Sequence, residues 1–212
     1  MAVEKKGKII CLTGGIGCGK SRISELLKEE FGFHVLDSDL FTKKYVMKPG
    51  MEGYGKIVSC FGDGILSEDK SINRKKLAEI VFSDKEKLKK LNSFTHPATI
   101  KALKEECRRH FKEENRLVFI ESAIPFAADY EKFCDEFWYV YATKETRIKR
   151  LVKNRGYSRE KCLSIMKLQP TEKQYRLHSS LVIDNNDGAD RIKQKNKISK
   201  AVNEWFASQE KM

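Results

Sequence analysis

Gly14-Gly15-Ile16-Gly17-Cys18-Gly19-Lys20-Ser21 matches G-x-x-x-x-G-K-S/T, and it lies between the apolar run Ile9-Ile10-Cys11-Leu12 and a helix-like stretch from Ser21 to Glu30. An apolar strand entering the motif and a helix leaving it turn the pattern into a phosphate-binding loop. Glycines let the backbone take positive φ and come close to a polyphosphate, and the helix N-terminus that follows aims partial positive charge at it. Lys20 is then placed to reach the β- and γ-phosphates and Ser21 to ligate Mg2+. The plain alternative is a glycine-rich turn that binds nothing, and agreement of the whole motif with both flanks argues against it.

Outward from this loop, short apolar runs alternate with longer amphipathic stretches. Lys8–Leu12, His34–Leu36, Leu117–Ile120, Phe137–Tyr141 and Leu181–Ile183 read as five strands, with helical periodicity between them. That alternation predicts an α/β fold, a five-stranded parallel sheet wrapped by helices. From about Thr42 to Glu114 there is no long strand signal. Turns at Gly53-Tyr54-Gly55 and Gly62-Asp63-Gly64 punctuate helices near Arg74–Val81, Asp84–Asn92 and Pro97–Phe111. This reads as a helical insertion at the sheet's edge. The segment from Asn154 to Arg176, basic at its start, reads as a lid. The chain of 212 residues suits one domain, with a core of about 1–41 and 115–212, an insertion of about 42–114 and a lid of about 154–176.

The six cysteines are widely spaced, with no C-x-x-C pair and no zinc-ligand spacing, and read as free thiols in a reducing compartment. The first strand follows the N-terminus too closely for a signal peptide, and no apolar run approaches membrane-spanning length. A cytoplasmic protein is expected. The net charge of +12 suits polyanions in general. Its lysines are spread along helical stretches such as Lys193–Lys200, with neither an aromatic-rich strand nor helix-turn-helix spacing, so nucleic acid is not an expected partner.

The ends of the other strands narrow the chemistry. A GTPase needs N-K-x-D, and Asn196-Lys197-Ile198-Ser199 lacks the aspartate. A small-molecule kinase needs an acceptor-side acid, a Mg2+ site and cations that neutralise the transferring phosphoryl group. Asp37 and Asp39 follow the second strand at the carboxyl edge of the sheet, where open α/β folds keep their sites. Asp39 is the candidate base; Asp37 divides between a site role and capping a helix that begins at Leu40. Glu121 ends an apolar strand in the manner of a Walker B acid, with solvent exposure as its alternative. Arg147, Arg150, Lys153 and Arg155 follow the fourth strand, and their phasing keeps all four from pointing inward; Arg150 and Arg155 are the candidates for phosphate. His96, before Pro97, is a candidate substrate contact. Cys18, at a helix N-terminus, is either a stabilised thiolate whose alkylation blocks ATP or an inert filler.

These residues carry a specific resemblance. The loop, Asp37-Ser38-Asp39, Lys48-Pro49-Gly50, Phe61-Gly62, Asn73-Arg74, Leu91-Asn92, His96-Pro97, Lys149-Arg150, Gln169 and Val182-Ile183-Asp184-Asn185-Asn186 occur in an order that resembles dephospho-coenzyme A kinases over roughly residues 8 to 205. The resemblance implies a three-layer P-loop kinase fold with a helical substrate-binding insertion and a lid. It also implies transfer of the ATP γ-phosphoryl group to the ribose 3′-hydroxyl of dephospho-coenzyme A, the last step of coenzyme A synthesis. By that resemblance Asp39, Lys20 and Arg150 are catalytic, Arg150 as a lid contact. Gly15, Gly17, Cys18, Gly19, Lys20, Ser21, Arg22, Arg155 and Asn186 bind ATP, and Asp37, Arg74 and His96 bind the acceptor. Ser21 holds Mg2+ with Glu121 or Asp39. The expected partners are these two small molecules, and the expected state is a monomer or weak homo-oligomer. The chain departs from the family pattern at Ala123-Ile124-Pro125-Phe126-Ala127, which lacks a glutamate, and at Ser179-Ser180, where an Ala-Asp pair is usual.

Overall fold

The computed structural model describes residues 7–113, 116–123, 125 and 130–209, apart from the side chains of 82 and 209. Five parallel strands, β1 (Lys8–Thr13), β2 (His34–Asp37), β3 (Leu117–Ser122), β4 (Glu136–Tyr141) and β5 (Leu181–Asp184), form one sheet in the order β2-β3-β1-β4-β5. Each expected strand is present, extended by one or two residues. The central strands are buried on both faces, and for this reason they read as near-continuous apolar runs.

Helices cover both faces. The helix α1 (Lys20–Phe31) turns Ile23, Leu26 and Leu27 onto one side of the sheet, where α9 (Arg191–Gln209) adds Ile198 and Val202. Each such side chain contributes about 1.5–3 kcal/mol on leaving water. On the other side, Leu103 and Cys107 of α5 (Lys85–Lys112) pack on Cys11, Val118 and Ile120. The helical region between β2 and β3 is therefore not closed off from the core at residue 114, because the second half of α5 is one of the core's layers. Its first half packs with α3 (Glu52–Phe61) and α4 (Arg74–Phe82) around Ile57, Ile65 and Leu77.

Two local expectations are corrected here. Pro97 does not split α5, which runs unbroken through it. Proline removes one hydrogen bond to the carbonyl four residues back; Ser93 and Pro97 are both exposed, on the outer face of the helix, where such a loss is tolerated. Gly53 and Gly55 are not a turn but lie inside α3, where a side chain at Gly53 would collide with Val46. The turn is at Gly62, whose φ is 77°.

After β4 come α6 (Lys144–Arg155), α7 (Arg159–Lys167) and α8 (Glu172–His178). The last of these is anchored. Tyr175 is buried, stacks on Tyr139 with ring centroids 4.9 Å apart, and donates its hydroxyl to the Ala123 carbonyl at 2.7 Å. The serines that depart from the family pattern open β5 without disruption: the Ser180 N–H donates to the Phe137 carbonyl at 3.0 Å and its hydroxyl to Glu136 Oε2 at 3.0 Å. Most of the other departure, residues 124 and 126–127, lies outside the described residues, as do residues 1–6 at the N-terminus. Among the described residues no helix is long and apolar enough to cross a membrane.

Candidate active site

The phosphate loop joins the buried end of β1 to α1, and this helix starts differently from α4 to α8. A side chain accepts from a first-turn N–H in each of α4 to α8: Asn73, Asp84, Thr143, Ser158 and Thr171. The N-cap of α1 is Gly19, with φ 88°, no capping side chain and no acid in the first turn. The orphan N–H donors and the positive end of the helix dipole are left facing a cavity of about 570 Å3. Gly19 is required twice over, since a Cβ would also lie 2.3 Å from Asn185 Nδ2.

The loop's carbonyls are tied back by side chains. Lys20 Nζ donates to Gly14 O at 2.9 Å, Arg147 Nε to Ile16 O at 2.8 Å, Asn185 Nδ2 to Cys18 O at 2.8 Å, and Arg150 Nη1 to Cys18 O at 3.3 Å. Carbonyls held outward leave the N–H groups of the same peptides turned inward, the polarity that an anion requires. Five cations, Lys20, Lys43, Arg74, Arg150 and Arg155, line the cavity against the carboxylates Asp37, Asp39 and Glu121. The excess of positive charge suits a polyphosphate.

Glu121 is an inward-facing acid, not a solvent-exposed strand end. It is paired in register with Leu12 of β1 and Asp37 of β2, accepts from Ser21 Oγ at 3.2 Å and Ser24 Oγ at 2.7 Å, and so stands beside the helix start. Ser21 Oγ and the Glu121 carboxylate are hard oxygen donors beside the phosphate site. Among the described residues no group of three or more His, Cys, Asp or Glu could hold a metal by itself. Mg2+, which binds through one or two protein oxygens plus phosphates and water, fits such a donor set.

Asp37 and Asp39 divide their roles. Asp37 Oδ1 accepts from the N–H groups of Asp39 at 2.8 Å and Leu40 at 3.0 Å, capping α2 (Ser38–Phe41), which begins two residues earlier than expected. Asp39 is exposed where the phosphate cavity meets a second one, of about 240 Å3. The two share Lys43, Arg74 and Ser122 as well, and the second reaches Thr99 and His96 on α5. A larger groove of about 920 Å3 runs along the outer face of α5 and meets the second cavity only at Asn92 and His96, so its size does not make it the reaction centre.

Other expected residues are placed differently. Arg150 is on α6, ahead of the lid, and bonds to the loop through Cys18 O and to β5's end through Asn185 O at 2.8 Å. It also pairs with Asp187, whose carboxyl its hydrogen bond holds below the usual carboxylate range. Asn186 is turned away, its Oδ1 accepting the Thr143 N–H at 2.8 Å, and the loop-facing amide is its buried neighbour Asn185. Strand alternation was the available signal, because Ile183 is buried and Asn185 lies two residues on. Arg22 and Lys153 are exposed and do not line the cavity, whereas Arg155 does. Arg147, Ser24, Lys43 and Asp187 are further residues that the sequence reading did not select.

Cys18 belongs to the core. It is 1% exposed, packed with Ile10, Leu12, Ile23 and Val140, so only its backbone serves the loop and the reactive-thiolate reading falls. Iodoacetamide treatment of the folded apo protein should label Cys60, the partly exposed thiol, and spare Cys18, as read by peptide mass mapping. Labelling of Cys18 as fast as Cys60 would contradict this burial.

A parallel sheet with a glycine loop at its central strand, an open helix start and a cation-lined cavity beside a free-standing aspartate define a P-loop kinase. The dephospho-CoA kinase (CoaE) family model matches residues 8–191. The chain belongs to that family. A dephospho-CoA kinase of Carboxydothermus hydrogenoformans is 38% identical over 84% of this chain and 85% of its own. One from Listeria innocua is 36% identical over 87% and 92%. The solved dephospho-CoA kinase of Campylobacter jejuni superposes with a TM-score of 0.66 at 25% identity, covering 96% of this chain and 98% of that one.

Proposed function

We propose that this chain transfers the γ-phosphoryl group of ATP to the ribose 3′-hydroxyl of dephospho-coenzyme A. The observation that carries the reading is Asp39 at the junction of the loop's cavity with the one that opens toward α5. ATP takes the first cavity, its phosphates on the loop N–H groups and Lys20, with Arg155 at the rim. The acceptor's ribose enters from the second, beside Arg74 and His96. Asp39 orients the hydroxyl and takes its proton as the bond to phosphorus forms. Ser21 and Glu121 would hold Mg2+, which when bound withdraws charge from the β- and γ-phosphate oxygens, leaving Asp39 free for the hydroxyl. The stretch 154–176 serves as the lid, its mobile part being α7, since Tyr175 ties α8 to the sheet. Six free cysteines support a cytoplasmic location.

The test is ADP release measured with a panel of acceptors. Dephospho-coenzyme A should accelerate Mg2+-dependent turnover far more than AMP, dTMP, adenosine or pantothenate. Equal stimulation by AMP would make the chain a nucleoside monophosphate kinase, and turnover that no acceptor changes would make it a nucleotide-binding protein without transfer.

A further inference from the structure

A loop with glycine at positions 14, 15, 17 and 19 has little stiffness of its own. Phosphoryl transfer depends almost entirely on positioning. Something outside the loop must therefore hold it, and one of the side chains that do so has no part in the chemistry described above. Gln169, between α7 and α8, lines the phosphate cavity. Its Oε1 accepts from the Ile16 N–H at 2.8 Å and from Arg147 Nη2 at 3.2 Å, while Arg147 Nε donates to the Ile16 carbonyl. Both peptide planes that meet at Ile16 are fixed by this triangle, one through its N–H and the other through its oxygen. Arg147 also fills the space over Gly15, where a Cβ would lie 2.1 Å from its Nη2.

Gln169 is itself built to stay in place. Pro170 confines it to extended backbone, and its N–H donates to Met166 O at 3.3 Å. Thr171 then opens α8 with a capping box, and one turn later comes the Tyr175 anchor. The carboxamide therefore sits at the end of a strut fixed to β4 through Tyr139 and to Ala123 just past β3, not on a freely moving segment.

We propose that Gln169, steered by Arg147, is a positioning residue for phosphoryl transfer: it fixes the Ile16 peptide so that the loop presents the γ-phosphoryl group in line with the acceptor. The inference rests on the kinase reading. Its test is therefore run with whichever acceptor drives ADP release from the unsubstituted chain, so that a wrong acceptor and an idle Gln169 give different results. Gln169→Ala should lower kcat about 10- to 100-fold, the scale of a small misplacement at the reacting centre, with the KM for the acceptor and the melting temperature nearly unchanged. Gln169→Glu keeps an oxygen for Ile16 and a partner for Arg147, so kcat should recover to near wild type. Its KM for ATP should rise, because the new charge faces the phosphates. Gln169→Asn, one methylene short of Ile16, replaces the alanine variant if that one does not fold, with the same loss of kcat expected. Wild-type kcat in the alanine or asparagine variant, or a glutamate variant as slow as either, overturns the proposal.

Discussion

Lys20→Ala should lower kcat by on the order of 10² or more, measured as ADP release at saturating ATP and acceptor. The ammonium would reach the β- and γ-phosphates and follow charge onto the transferring group, while the two arginines nearest the loop are engaged elsewhere: Arg150 is paired with Asp187 and Arg147 is spent on the loop's back. The structure also predicts that the fold will survive. Lys20 Nζ donates to a single loop carbonyl, a hydrogen bond whose loss costs about 1 kcal/mol, or about 2–4 °C in Tm for a chain of this size. Unchanged kcat in a folded variant would mean that the loop is not the site of transfer.

Asp39→Asn should be nearly as damaging, lowering kcat roughly 10²- to 10⁴-fold with a smaller change in the KM for ATP. Asparagine keeps the size and one acceptor oxygen but cannot take the hydroxyl's proton. Because the transition state is loose, the proton moves late and part of the loss reflects orientation. Asp37→Ala is the control: removing the α2 cap should cost about 0.5–2 kcal/mol of stability and little rate. The reverse pattern, a crippled Asp37 variant beside a normal Asp39 variant, would move the base to the cap position.

Much of the fold was legible because its signals are local. The five strands announce themselves as apolar runs, and the loop motif carries its own geometry. Pro97 misled for a physical reason: sequence records the missing N–H but not on which face of the helix it falls, and here Ser93 and Pro97 are exposed. Asp37 and Asp39 were legible as a pair, while the capping role of Asp37 needed the two N–H groups that point at its Oδ1. The braces behind the loop were not legible. Arg147, Gln169 and Asn185 meet residues 131, 153 and 167 positions away, and nothing in the local pattern of an arginine on a basic helix distinguishes one that grips a carbonyl from one in solvent.

The strand order has a consequence for how the chain is made. β1 is synthesised well before both of its neighbours, β3 and β4: Lys8 pairs with Leu117, and Cys11 with Phe137. At about 5–20 residues per second, an apolar strand with two bare edges waits several seconds for its first partner. The nascent loop waits longer still, because Asn185, which ties back Cys18 and Gly19, comes 167 residues after Cys18. The braced form of the loop is therefore reached only after all five strands of the sheet have been made.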